Sequence, residues 1–197
     1  MLAEFIIIED PLRPSVTTNL CSVCYRHDRY EGKGIGCCSY IPEFCLFDLV
    51  FLYIVYPDIY KNLRQNSRII KGFNGIMAEM ETSLKQCPFA SNTGCILPRD
   101  ALTPLCRLFI CREAARFAPF KFEQRFDDYF TSKEYHYNQW LNARLPSETS
   151  LTWASLHNSI KGFASEINKE IISIDRTNPV VESFSNEISL SDFGTIL

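Results

Sequence analysis

Thiols carry most of the chemistry this sequence can do, and their spacing sorts them. Nine cysteines occur in 197 residues, and eight fall into two groups. The first group reads Cys21-Ser-Val-Cys24, then twelve residues, then Cys37-Cys38. The second reads Cys87-Pro88-Phe89, Gly94-Cys95, Cys106-Arg107 and Cys111. A Cys-x-x-Cys pair presents two thiolates to one metal because a short turn sets both sulfurs on one side. The Cys-Pro-Phe and Gly-Cys pieces extend that logic across a wider loop. Cys106 and Cys111 diverge by about 140° on a regular helix, so both face one site only if the helix starts or ends between them. The adjacent Cys37 and Cys38 diverge in the same way. Eight candidate ligands suffice for two four-thiolate sites, or for one site with packed spares. The ninth, Cys45, sits in an apolar stretch and reads as a small core residue.

Compartment decides between disulfides and metal. The opening residues show no Lys or Arg ahead of the short apolar stretch Phe5–Ile8, so no secretory signal is legible there. The longest apolar run, Leu49–Tyr56, falls far short of the ~20 residues that span a bilayer. An odd cysteine count without an export signal points to a reducing cytoplasm and to thiolates used as ligands. Thiolate sets suit zinc or iron–sulfur clusters and disfavour magnesium and calcium. The irregular gaps favour a cluster, of the 4Fe-4S kind, over a paired zinc ribbon, with zinc as the alternative. Arg99 and Arg107 are placed to donate to a negatively charged thiolate site from its periphery.

Other chemistry is thin. The three histidines, His27, His136 and His157, form no metal-protease pattern. Gly32-Lys33-Gly34-Ile35-Gly36 lacks the spacing of a phosphate loop, and there is no Gly-x-Ser-x-Gly elbow. A net charge of −3 argues against nucleic-acid binding. Lys121, Arg125 and Lys133 lie in an aromatic stretch, but Glu123, Asp127, Asp128 and Glu134 interleave with them, as on an amphipathic helix. With 8 Gly, 10 Pro and 46% hydrophobic residues, collagen-like and disordered classes are excluded.

The elements that must position these residues read mainly as helices. Residues 1–20 are extended, with strand character at Phe5–Ile8 and Pro11 and Pro14 excluding a helix. Residues 21–40 and 87–104 form the cysteine loops. A buried helix is expected over Pro42–Tyr56. Another follows Pro57, with a stripe of Ile59, Leu63, Ile70, Phe73, Met77, Met80 and Leu84 and weak points at Gly72 and Gly75. Thr103-Pro104 opens a helix carrying Cys106 and Cys111 that ends before Pro119. Further helices are expected over about 121–145 and from Ser147 or Thr149 to about Ile172, the last with Leu156, Ile160, Phe163, Ile167 and Ile171 on one face. Residues 180–197 alternate apolar with polar residues, as a strand, a docking arm or a disordered tail would.

The run Cys87-Pro88-Phe89, Gly94-Cys95, Arg99, Pro104, Cys106-Arg107-Leu108-Phe109, Cys111, preceded by Cys37-Cys38, resembles the YkgJ-type cysteine-cluster family. Its members are described as zinc- or iron-chelating, and a related domain occurs in flagellin lysine methylases. The resemblance covers residues 21–111. The family's compact Cys-x-x-Cys-x-x-Cys-Cys run is opened here by the residues between Cys24 and Cys37, where His27 stands at the offset of a further ligand.

These readings combine into a mostly α fold with little or no sheet. Two cysteine-bearing loops converge on a metal centre. A single helical metal-binding domain spans 1–175, with the cysteine cluster in 21–111 and a helical part in 112–175, and a C-terminal tail covers 176–197. The expected function is metal binding for electron transfer or as an accessory to a protein partner. A cluster-dependent enzyme of methyl transfer or redox chemistry and an interaction protein with structural zinc are the alternatives.

Overall fold

The computed structural model describes residues 2–20, 41–82, 87–91, 94–108, 110, 112–118, 127–146, 151–173 and 179–188. Of these, 47% are helical and 28% lie in strands, in three small antiparallel sheets. The chain is therefore mixed α/β, and the expectation of a mostly helical fold with little or no sheet is overturned.

β1 (Leu2–Glu9) pairs with β2 (Ser15–Thr18) on one side and with β8 (Val180–Glu187) on the other. Its pattern is strand-like at period two, with Ala3, Phe5 and Ile7 buried and their neighbours less so. Pro11 and Pro14 bracket the connection to β2, where the Asp10 carboxylate accepts the N–H groups of Leu12 (2.8 Å) and Arg13 (2.7 Å). With Leu20, Ile110, Ala114 and Ile188, this sheet encloses the smaller of two apolar cores.

The larger core is built on α1 (Leu46–Val55), which is buried along most of its length. The helix begins later than expected, because Glu43–Cys45 is extended as β3 and pairs with a later strand over Met77–Glu79. Its start is fastened by Asp48, whose carboxylate accepts the Cys45 N–H at 2.9 Å while the Cys45 thiol faces the N–H of Asp48. This is a capping box with sulfur in the hydroxyl's place.

α2 (Pro57–Asn66) starts where expected but is short. The Ile70-to-Met80 part of the expected helical stripe is instead a hairpin of β4 (Ser67–Gly72) and β5 (Gly75–Met80). Phe73, assigned to the buried stripe, is 77% exposed at the turn. Gly75 follows with φ +91°, a left-handed conformation that side-chain-bearing residues resist. The turn is held from outside by α5 (Lys133–Ala143). Asn142 accepts the Ile76 N–H at 2.8 Å, and Asn138 donates to the Asn74 carbonyl at 2.9 Å while accepting from Phe47 N–H at the start of α1.

Between these lie a short hairpin, β6 (Ala90–Ser91) with β7 (Gly94–Cys95), and two short helices, α3 (Pro104–Leu108) and α4 (Arg112–Ala115). The single helix expected past Cys106 is thus broken before Arg112. α5 is shorter than the expected 121–145 helix and is capped by Ser132, whose hydroxyl accepts the Tyr135 N–H. α6 (Trp153–Ser173) carries all five residues of its expected stripe in the core. No helix among the described residues is long and apolar enough to cross a membrane.

Candidate metal centre

The Cys-Pro-Phe…Gly-Cys pattern has a local physical explanation. Phe89 is the anchor: its ring is buried edge-on against Phe44, with centroids 6.2 Å apart. Pro88 turns the chain ahead of it, and Ala90 N–H closes back on the Cys87 carbonyl at 3.1 Å. Gly94 adopts φ +115° to begin the return strand, and Ile96 N–H bonds the Phe89 carbonyl at 2.9 Å. Cys95 is consequently paired opposite Ala90. Cys106 comes from α3, whose start is capped by Thr103, with the Cys106 N–H directed to the Thr103 hydroxyl at 3.4 Å.

Cys87 and Cys106 are half-buried and Cys95 is exposed. They are electrostatic neighbours. Burial is the main cause that pushes the Cys87 thiol up to about 11, the nearby Cys106 and Cys95 add to it, and the backbone N–H groups of Phe89 and Ala90 pull the other way. Amides directed at a sulfur favour the thiolate once a cation is present to offset the crowding. Among the described residues, however, no group of three or more His, Cys, Asp or Glu side chains is arranged to hold a metal ion. The other expected ligands, Cys21, Cys24, Cys37, Cys38 and Cys111, lie outside the described residues, as does His27. Cys45 is fully buried, and burial with Asp48 nearby raises its thiol well above the usual range, which fits the core role expected of it.

The two arginines expected at the periphery of the site have different roles. Arg107 is not turned to the thiols. It is fully buried, bonded to the carbonyls of Leu102 (3.0 Å) and Pro14 (2.5 Å), and paired with Glu134. Arg99 spans to the Arg107 carbonyl at 2.9 Å, so it braces the same short helix.

Sequence reasoning missed the partners of Arg107. Glu134 also faces Arg13 (3.3 Å), and Arg13 pairs with Asp48 at 2.7 Å, so two arginines and two carboxylates form one buried quartet. Arg13 further donates to the carbonyls of Asp100 (2.5 Å) and Leu102 (2.6 Å). Burial works against the Arg13 charge, but Glu134 and Asp48 outweigh it and hold the guanidinium protonated. The quartet thereby ties the β1–β2 connection, α1, α3 and α5 together through Arg107, the residue after Cys106. The legible signal was Asp48 inside a nearly unbroken apolar run, since a carboxylate there must find a cation. The remaining histidines are structural, as expected: His157 bonds the Tyr60 hydroxyl at 2.8 Å, and His136 bonds the Ser132 carbonyl at 2.8 Å.

No family model matches the chain, and no curated protein and no solved structure matches it.

Proposed function

We propose that this chain is a cytoplasmic metal-binding protein whose cysteines hold an iron–sulfur cluster or zinc, serving electron transfer or an accessory role beside a protein partner. The observation that supports this reading most directly is the hairpin at Cys87. It aims two backbone amides at one sulfur and has two further thiols, on β7 and α3, as its electrostatic neighbours. The resemblance of residues 87–111 to the YkgJ-type family points the same way, with Cys21, Cys24, Cys37, Cys38 and Cys111 completing the donor set. Cys95 is exposed, which supports a reading in which electrons or metal pass to a partner at the surface.

Anaerobic purification with metal and sulfide analysis and a visible spectrum tests the reading. Iron with sulfide and broad visible absorption selects the cluster. A colourless protein with stoichiometric zinc selects zinc, and loss of either on Cys87→Ser or Cys106→Ser assigns the site. Protein that is metal-free as isolated, takes up neither metal on reconstitution and has all its thiols titrating freely overturns it.

A further inference from the structure

α2 and α6 meet through Tyr60 and His157, whose rings stack with centroids 5.7 Å apart and whose hydroxyl and Nδ1 share a hydrogen bond at 2.8 Å. Tyr53, from α1, packs edge-on against both rings. At the start of α6 the Trp153 indole donates to the carbonyl of Ser67, just past the end of α2, at 2.6 Å. The two helices therefore run in opposite directions along each other. Arg64 lies one turn after Tyr60 and Lys161 one turn after His157, so the two cations stand on either side of the Tyr60–His157 pair. Their backbones are about 11 Å apart along the helices, a gap that two side chains of this length close from both ends.

Both cations act on the imidazole ring, and neither has an ion-pair or hydrogen-bond partner among the described residues. The carboxylates of these helices are placed elsewhere. Asp58 is two residues from Tyr60 and so faces another side of α2, Glu166 pairs with Arg144, and Glu170 bonds Tyr137. Tyr60 engages Nδ1, and the other ring nitrogen, Nε2, has no partner among the described residues and is not sealed from water. We propose that Arg64, Lys161 and His157 Nε2 form a binding site for a phosphate group, free or carried as a monoester on a small molecule. The sign of the site selects anions, and two fixed positive charges match a phosphate monoester, which carries about −1.5 to −2 at pH 7. Arg64 offers a planar fork of donors and Lys161 a compact charge. The imidazole Nε2 donates as the Nε2–H tautomer or as the cation. Tyr60 and Tyr53 orient the ring that presents it.

NMR of the full chain can follow the His157 Cε1–H signal against pH in sodium chloride and in sodium phosphate of equal ionic strength, with His136 as the internal control. The His157 midpoint should rise by about 1 unit in phosphate, because a bound anion favours the charged ring. That of His136 should not follow. Titration with inorganic phosphate at fixed pH gives the affinity, and Arg64→Gln with Lys161→Gln should weaken it by about tenfold or more. Both side chains are exposed, so far-UV dichroism should be unchanged. Either single variant serves should the double one fold poorly. Glycerol phosphate in place of the ion separates the two sources: tighter binding assigns the site to an organic phosphate, and equal or weaker binding assigns it to the free ion. A His157 midpoint identical in the two salts overturns the inference. So does a rise that persists in the variants, or one that His136 matches.

Discussion

Glu134 faces two arginines at once in a buried place, accepting a hydrogen bond from Arg107 and standing in ion-pair range of Arg13. Replacing it with Ala leaves Arg107 and Arg13 short of a counter-charge, and breaking a buried pair this way costs about 3–5 kcal/mol. Urea denaturation of Glu134→Ala should show a loss of that size. The double variant Arg107→Met, Glu134→Ala should recover part of it, because an apolar side chain leaves no stranded charge. His157 makes a second prediction at this scale. Burial, with Arg64 and Lys161 nearby, holds it below the usual 6.5. The fold favours the neutral ring, which shares a hydrogen bond at Nδ1 with a Tyr60 hydroxyl that burial pushes up to about 12. The contribution is therefore complete above pH 6.5 and is lost as pH falls below it. Thermal melts of His157→Phe should be flatter with pH than the parent over about pH 6.5 to 5. Individual residues were legible in the sequence where one local rule governs them: Thr103 as a cap, Cys45 as core, His157 as structural. Glu134 was not, because its partner Arg13 lies far away in the chain and nothing near Glu134 distinguishes it from a solvated carboxylate.

The β4–β5 hairpin shows why whole elements were misread. Ile70, Met77 and Met80 happen to sit at helical spacing, and Phe73 joins them in sequence while standing in water at the turn. The decisive residue is Gly75, whose left-handed backbone a helix cannot supply and whose missing Cβ makes room for Asn142. A Cβ there would stand 2.3 Å from the Asn142 side-chain oxygen. Gly75→Ala should lose at least about 1–2 kcal/mol in chemical denaturation, from the backbone alone. Gly162, on α6 with open space around it, is the contrasting case. Gly162→Ala should stabilise by about 0.5–1 kcal/mol. The amphipathic α6 and the period-two β1 were legible because their patterns repeat within one element. β3 and the late start of α1 were not, because pairing with β5 decides them.

At the scale of the whole molecule the proposed centre lies beside the larger core rather than within it: Phe89 reaches in while Cys95 stays outside. Removing metal with a chelator should therefore speed amide exchange in residues 87–108 while α1 and α6 stay protected, a pattern mass spectrometry can read. Uniform loss of protection would place the metal at the foundation of the fold. The sheet of β2, β1 and β8 has a different consequence, one that concerns time. Phe5 stands opposite Phe184, so two neighbouring strands of one sheet lie far apart along the chain. At about 5–20 residues per second, synthesis separates the two by roughly 10–35 s. Throughout that interval β1 leaves the ribosome with β2 on one side and an open flank on the other. In that interval the apolar face of β1, with Ala3, Phe5 and Ile7, depends on β2 alone, and its sheet is completed only when residues 180–187 arrive.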